Sequence, residues 1–444
     1  MLIFLWGAFF LNQGDRQLFN NVLELIGKPI AEDGLGLSDV QLGLVATVFT
    51  ILYGIAVPIA GFAGDVIQKR LVVFLSLMIF SFGTLATGLV PNSEWITVHL
   101  YGGAELWLAA STLSLVLLML VRSIATGIGE AFYYPGANSL IAQYHSQTRA
   151  TAMAIHQTAN YTGVVFGGAL AGWVGYQYGW RMAFLSFGLV GVLWALALYF
   201  LFRNDQHDRV LMGEKADAKT GEVEKIPLSH ALKAILSRPT FYLLSLAFGG
   251  MCFVNVGFLT WMPKYLIANF GVDGKIAGFN ATFWHHLLAY ISVFVAAGIS
   301  DYLSRKVLNI RMQMEFLGLL LGTPFIWWMG AADSLLWVYV ALAGFGLFRG
   351  VYDSNLFAAM FDVIEPQYRA TASGLMLSFA FIIGSFSPVV LAMVADTMKT
   401  PEGVPNYGPC LSYMSAAYFV SAIFVLLAIV CFYKRDRAAA ERAL

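Results

Sequence analysis

The chain has 444 residues, of which 59% are hydrophobic and 12% charged. A soluble globular chain carries about 25% charged residues, so no ordinary water-soluble fold of this length hides so much apolar surface. Lys plus Arg and Asp plus Glu balance at 26 each, which excludes the basic excess of a nucleic-acid-binding protein.

A helix that crosses a bilayer needs about 20 mainly apolar residues. In chain order, the segments that qualify are Leu2–Ile26, Val40–Phe62, Val72–Leu89, Ser111–Ile141, Ala150–Val174 and Met182–Phe202. A second set runs Phe241–Ile267, Gly278–Ser300, Met314–Gly330, Leu335–Phe361, Ala372–Val394 and Tyr413–Phe432. The first segment has a charged pair at its centre and no small-residue cleavage site after it, so it reads as a spanning helix and not as a signal peptide. The chain begins almost inside that helix, and its natural start is expected upstream. The polar stretch Arg203–Arg238 separates the two sets. The expected organisation is all-α: a six-helix bundle over 1–202, a cytoplasmic linker over 203–239, a second bundle over 240–434 and a short cytoplasmic tail over 435–444. One stretch fits poorly. Pro91–Ala110, with Trp95, Tyr101 and Trp107, is long for an external loop, and its aromatics are expected at the membrane interface.

Positive charge sets orientation. If both termini are cytoplasmic, the external loops hold four of the 26 Lys and Arg, namely Lys28, Arg181, Lys275 and Lys399. Another four lie within helices (Arg16, Arg122, Lys264 and Arg349), and the remaining 18 face the cytoplasm. The halves also repeat. Gly61-Phe-Ala-Gly-Asp65-Val-Ile-Gln-Lys69-Arg70 follows the second helix, and Ala297-Gly-Ile-Ser-Asp301-Tyr-Leu-Ser-Arg305-Lys306 follows the eighth. Asn138…Arg149-Ala-Thr-Ala is echoed by Asn355…Arg369-Ala-Thr-Ala. Repeated halves of this kind are what secondary transporters with a midplane site between two bundles display.

These motifs resemble the major facilitator superfamily over nearly the whole chain. Its signature Gly-x-x-x-Asp-Arg-x-Gly-Arg-Arg stands at Gly61 to Arg70, with Val66 for the first Arg and Gln68 for the Gly. Further motifs resemble the anion:cation symporter family: Asn12-x-x-Asp15-Arg16, Leu35-Gly36-Leu37-Ser38-x-x-Gln41-x-Gly43, Gly127-x-Gly129-Glu130-Ala131 with Pro135, Gly179-Trp180-Arg181-x-x-Phe184, and Trp261-Met-Pro263-Lys-Tyr265. The resemblance implies a carrier of organic anions, such as sugar acids or phosphate, coupled to protons or sodium. Spinster-like lipid transporters share the Asp-Arg, the Gly-Glu and a Trp-x-Pro, so an amphiphile carrier is the alternative. One departure bears on the site. The family's fourth-helix Arg precedes the Glu by seven residues, whereas Arg122 precedes Glu130 by eight. That turns Arg122 about 100° from the expected face, so either a bulge restores it or Arg122 is not the substrate arginine.

A charge at the bilayer centre costs about 2.5–3.5 kcal/mol on insertion scales, so such residues face a cavity or a partner. Asp15 and Arg16 are adjacent and point about 100° apart. Arg16 is the expected carboxylate clamp, because a guanidinium presents a planar fork. Asp15 and Glu130 are the expected proton acceptors, with Asp353 a third. Arg349 and Asp353 stand at i, i+4 and can also pair with each other. Arg122, His156, Gln157, Asn160, Tyr161, Asn255, Trp261 and Ser378 complete the expected substrate contacts. His285 and His286 have no carboxylate partner on their own helix. Glu315 and Lys264 read as snorkelling or interfacial groups. Asp65, Lys69 and Arg70, with Asp301, Arg305 and Lys306, are the expected cytoplasmic gate, each acid capping a helix of the other half. Cys252, Cys410 and Cys431 lack metal or redox spacing. No cofactor, metal, catalytic constellation or nucleic-acid partner is expected, and the carrier is read as a monomer in a cell membrane.

Overall fold

The computed structural model describes residues 1–66, 68–92, 110–144, 149–201, 228–365, 368–399, 403 and 405–442. Trp95, Tyr101 and Trp107, and the linker up to residue 227, lie outside the described residues. So does the side chain of Asp65.

Helices account for nearly all of the described chain. The first set is α1 (Leu2–Gly27), α2 (Asp39–Val66), α3 (Lys69–Gly88), α4 (Ala110–Leu118, a π-helical stretch Met119–Thr126, then Gly127–Tyr144), α5 (Arg149–Thr162, π-helical Gly163–Gly167, then Gly168–Tyr178) and α6 (Trp180–Leu201). After a short helix, Leu228–Leu236, come α7 (Pro239–Phe270), α8 (Gly274–Ser304), α9 (Ile310–Ala331) and α10 (Leu335–Asp353, resumed as Leu356–Phe361). The last two are α11 (Arg369–Ser385 and Ser387–Thr397) and α12 (Tyr407–Leu427, Ala428–Phe432 and Tyr433–Glu441). Among the described residues, ten helical rods are long and apolar enough to cross a membrane. The two outside that ten, α1 and α5, are of similar length but carry the polar residues that the sequence marks as the site. The helices run past the expected apolar limits, α2 to Val66 and α12 to Glu441, because polar residues at the ends continue the same backbone hydrogen bonding.

Local chemistry explains the starts and stops. Ser38 and Gln41 form a reciprocal capping box at the start of α2: Ser38 N–H donates to Gln41 Oε1 at 2.9 Å and Gln41 N–H to Ser38 Oγ at 3.3 Å. Pro239 opens α7, where its missing N–H is no loss, and Asp436 accepts from Thr240 N–H at 2.9 Å, placing a carboxylate at the positive end of that helix. Gly271 closes α7 with φ 62°, a conformation that favours glycine.

Helices α1–α6 pack on one another, as do α7–α12, and the two bundles meet mainly along α2 with α11 and α5 with α8. The chain starts and ends on one face, the terminal face; α1 ends and α2 begins on the far face. The tightest helix pair in the first bundle is α1 with α5. A side chain at Gly163 would sit 2.7 Å from the Phe10 carbonyl oxygen, and one at Gly167 2.6 Å from Gly14 Cα. Only glycine permits that approach, and it holds the Asp15-Arg16 step of α1 against the bundle centre.

Candidate functional site

A cavity of about 500 Å³ lies between the two bundles, and Arg16, Arg122 and Arg349 all contribute to its wall. Its walls are largely apolar and aromatic with a few convergent polar groups, the usual make-up of a small-molecule site.

The adjacent charges of α1 divide as a helix requires. Asp15 turns into the first bundle, where Arg122 Nη1 meets its Oδ2 at 2.5 Å and Arg122 Nη2 donates to its carbonyl at 2.8 Å. Thr84 Oγ1 donates to Asp15 Oδ1 at 2.7 Å, so both carboxylate oxygens are engaged. Arg16 turns to the cavity. Its Nε donates to Glu130 Oε2 at 2.5 Å, and its guanidinium lies 4.0 Å from the centre of the Tyr53 ring. Glu130 Oε1 is buried without a hydrogen-bond partner among the described residues.

The question of the Arg122 spacing has a structural answer. The π-helical stretch Met119–Thr126 spans it. A π turn closes i→i+5 and so takes up one extra residue, which returns an eight-residue spacing to the phase of seven. Arg122 therefore faces inward and lines the cavity, but its guanidinium is committed to Asp15.

The second bundle supplies a matching pair. Arg349 Nε donates to Asp353 Oδ2 at 3.1 Å and Arg349 Nη1 donates to Asn255 Oδ1. Both arginine and acid line the cavity. Gln157, Asn160 and Tyr161 of α5 also line it, and the Tyr161 ring meets Tyr290 edge-on at 5.5 Å across the bundle boundary.

Three expected contacts do not reach the cavity. His156 is turned behind α1: it stacks on Phe9 at 4.7 Å and its Nε2 is 3.1 Å from the Tyr133 hydroxyl. Trp261 is fully buried, donates from Nε1 to the Pro388 carbonyl at 3.0 Å and stacks on Tyr407. Ser378 returns its hydroxyl to the Gly374 carbonyl of its own helix at 2.9 Å. For His156 and Trp261 a neighbouring helix claims the polar atom; for Ser378 its own helix does.

The cavity also holds residues outside the expected set. Tyr53 follows Val45, Phe49 and Thr50 on one stripe of α2, a 3.6-residue spacing visible in the sequence but shared by every apolar stripe of that helix. His285 and His286 line the second-bundle wall, with their Nδ1 atoms 3.3 Å apart. They were legible as intramembrane polar residues, but their surroundings come from other helices. Glu315 is wholly buried, and neither carboxylate oxygen has a hydrogen-bond partner among the described residues. Lys264 does not snorkel alone: it pairs with Asp39 of the other bundle at 2.5 Å, and the Tyr407 hydroxyl donates to the second Asp39 oxygen at 2.8 Å.

Arg70, Asp301 and Lys306 find their contacts within their own bundles. Arg70 donates to the Tyr199 carbonyl and lies over that ring; Lys69 opens α3. Asp301 is exposed and 3.6 Å from Arg311, Lys306 lies over the Tyr302 ring at 5.4 Å, and Arg305 caps the end of α8. The inter-bundle ion pair Asp39–Lys264 sits at the far face instead, where Asn21 of α1 also abuts Gly278 of α8.

Helical bundles of this kind, with a cavity at their junction, define a membrane transporter. Residues 5–388 match the Major Facilitator Superfamily, and the chain belongs to it. The hexuronate transporter of Bacillus subtilis (strain 168) is 24% identical over 410 residues, 91% of this chain and 89% of that one. A probable galactarate/D-glucarate transporter, GudP, of Escherichia coli (strain K12) is 26% identical over 418 residues, 89% of this chain and 86% of that one. Among solved structures, a bacterial homologue of the human lysosomal transporter Spinster, inward-facing and unoccupied, superposes with a TM-score of 0.71 at 21% identity, covering 99% of this chain and 97% of that one. A D-xylose–proton symporter gives 0.70 at 13% identity, covering 96% of each chain. At these identities the superpositions establish the fold alone.

Proposed function

We propose that this protein is a secondary transporter that moves a small organic anion, a sugar acid, together with protons across the cytoplasmic membrane by alternating access. All twelve rods span the membrane as two bundles, 1–202 and 240–434, both termini are cytoplasmic, and the working unit is a monomer. The terminal face is then cytoplasmic, and the contacts of Asp39 with Lys264 and Asn21 with Gly278 close the external side, leaving the cavity to communicate with the cytoplasm.

The observation that carries this reading is the Arg16–Glu130 pair, with Arg16 on the cavity wall and Glu130 buried directly behind it. An ionised Glu130 occupies the guanidinium. A proton on Glu130 releases it, and a substrate carboxylate takes the vacated fork, a charge-assisted contact with defined geometry. Loss of the proton on the other side reverses the exchange. Proton and anion therefore raise each other's affinity, as linkage demands. One proton with one carboxylate is electroneutral, so a unit of pH difference supports about tenfold accumulation. The hexuronate and galactarate/D-glucarate relatives support a sugar acid. A lipid-like cargo is disfavoured by a cavity bearing three guanidinium groups.

Uptake by proteoliposomes tests the reading. Glucuronate, gluconate or glucarate should accumulate under an inward pH gradient, and a protonophore should abolish it. Accumulation driven by sodium alone would reassign the coupling ion. Transport of a lysolipid with no sugar acid carried would overturn the proposal.

A further inference from the structure

The charges around the cavity form a closed set. Arg16, Arg122, Arg349 and Asp353 line it, and Asp15 and Glu130 stand directly behind Arg122 and Arg16. Among the described residues, three arginines of this set face three carboxylates, and their charges balance. An entering anion is therefore uncompensated unless a carboxylate of the set takes up a proton, because an unbalanced charge in a desolvated site is expensive.

The three pairs are not equivalent. Asp15 is held through both oxygens and through its backbone carbonyl, by Arg122 and Thr84, and Arg122 is only 3% exposed. This pair is a lock between α1, α3 and α4. The other two are built for exchange, and they are built alike. Arg16 meets one oxygen of Glu130 through Nε, and Arg349 meets one oxygen of Asp353 through Nε. Each arginine faces the same cavity, one from each bundle. Among the described residues, Glu130 keeps an unpartnered buried oxygen. The groups facing Glu130 are Arg16, Asp15 and Arg122. Those facing Asp353 include Arg349 and Tyr352 on its own helix, Tyr161 of α5, Cys252 of α7 and Tyr418 of α12. The second cation facing Glu130, Arg122, is committed to Asp15, and Asp353 has its ion pair with Arg349, so each acid is left to take up a proton once its own arginine is claimed.

We infer that the cavity takes a dicarboxylate, one carboxylate on Arg16 and the other on Arg349, with two protons carried by Glu130 and Asp353. This rests on the symport reading and sharpens it. Two exchangeable pairs on opposite walls match two anionic ends, and the two-proton count keeps the loaded cavity neutral. The substrate then ties the bundles together through both arginines, which favours the closed, loaded state that rocks. A monocarboxylate satisfies Arg16 only and leaves the Arg349–Asp353 pair in place.

Purified wild-type protein is titrated calorimetrically with D-glucarate and with gluconate, a dicarboxylate and its monocarboxylate counterpart of equal carbon number, in buffers of different ionisation enthalpy. Glucarate is expected to bind at least tenfold more tightly, with two protons taken up per molecule against one for gluconate. The double variant Arg349→Gln/Asp353→Asn, which removes the pair without stranding a charge, should bring the affinity ratio close to one and the glucarate proton count down to one. Arg349→Lys keeps the charge but not the planar fork and should weaken glucarate binding at least tenfold with gluconate binding unchanged, which guards against a double variant that fails to fold. Equal wild-type affinities, or a preference that survives in the folded double variant, would overturn the inference while leaving sugar-acid binding intact. If folded wild-type protein binds neither acid, the symport reading itself fails.

Discussion

Replacing Asp39 by Asn should open the far face of the transporter. Asp39 receives Lys264 at 2.5 Å and the Tyr407 hydroxyl at 2.8 Å, and the two charged side chains are 13% and 18% exposed. A fully exposed pair contributes roughly 0–1 kcal/mol, whereas breaking a buried one costs about 3–5 kcal/mol. This pair is intermediate, and asparagine keeps a weak acceptor for Tyr407, so the loss is about 2 kcal/mol. Because the contact exists only while the bundles touch on that side, the loss falls on one state and shifts the equilibrium roughly thirtyfold toward the externally open form. Asn20 lines the cavity. An Asn20→Cys probe in a background lacking Cys252, Cys410 and Cys431 should therefore react faster with an impermeant maleimide applied from outside when Asp39→Asn is added. The charge swap Asp39→Lys/Lys264→Asp should restore slow labelling. Unchanged labelling in Asp39→Asn, with the protein folded and transport intact, would show that the contact does not hold the bundles together.

Arg16→Lys keeps a charge but not the planar fork, and uptake should fall at least tenfold while the melting temperature stays within a few degrees; near-normal uptake would remove Arg16 from the carboxylate site. Glu130→Gln imitates the protonated acid, so counterflow exchange of substrate should persist while pH-driven accumulation is lost; retention of both would place the coupling proton elsewhere. Glu315 is buried with neither oxygen hydrogen-bonded among the described residues, where a charge is strongly disfavoured. Glu315→Gln should then melt at or above the wild-type temperature, and a drop of more than about 5 °C would reveal a partner for the carboxylate.

Much of the architecture was legible from local pattern. Apolar runs of spanning length are properties of neighbouring residues, and they were enough to place the helices. The Ser38–Gln41 spacing likewise announced its capping box, and the adjacency of Asp15 and Arg16 required them to face different ways. Partners across the bundle were not legible in the same way. The eight-residue interval from Arg122 to Glu130 left two readings open until the π-helical turn resolved the phase, because helix type depends on what the neighbours press against it. His156 and Trp261 lie on spanning helices, and nothing in their own segments says that Tyr133 and Pro388 claim them. Lys264 looked solitary because Asp39 lies 225 residues away in the chain. A helix dictates which residues share a face; only the packing of the two bundles decided which faces met each other and which met the cavity, since side-chain pairing across helices is a contact of tertiary structure and leaves no period in the sequence.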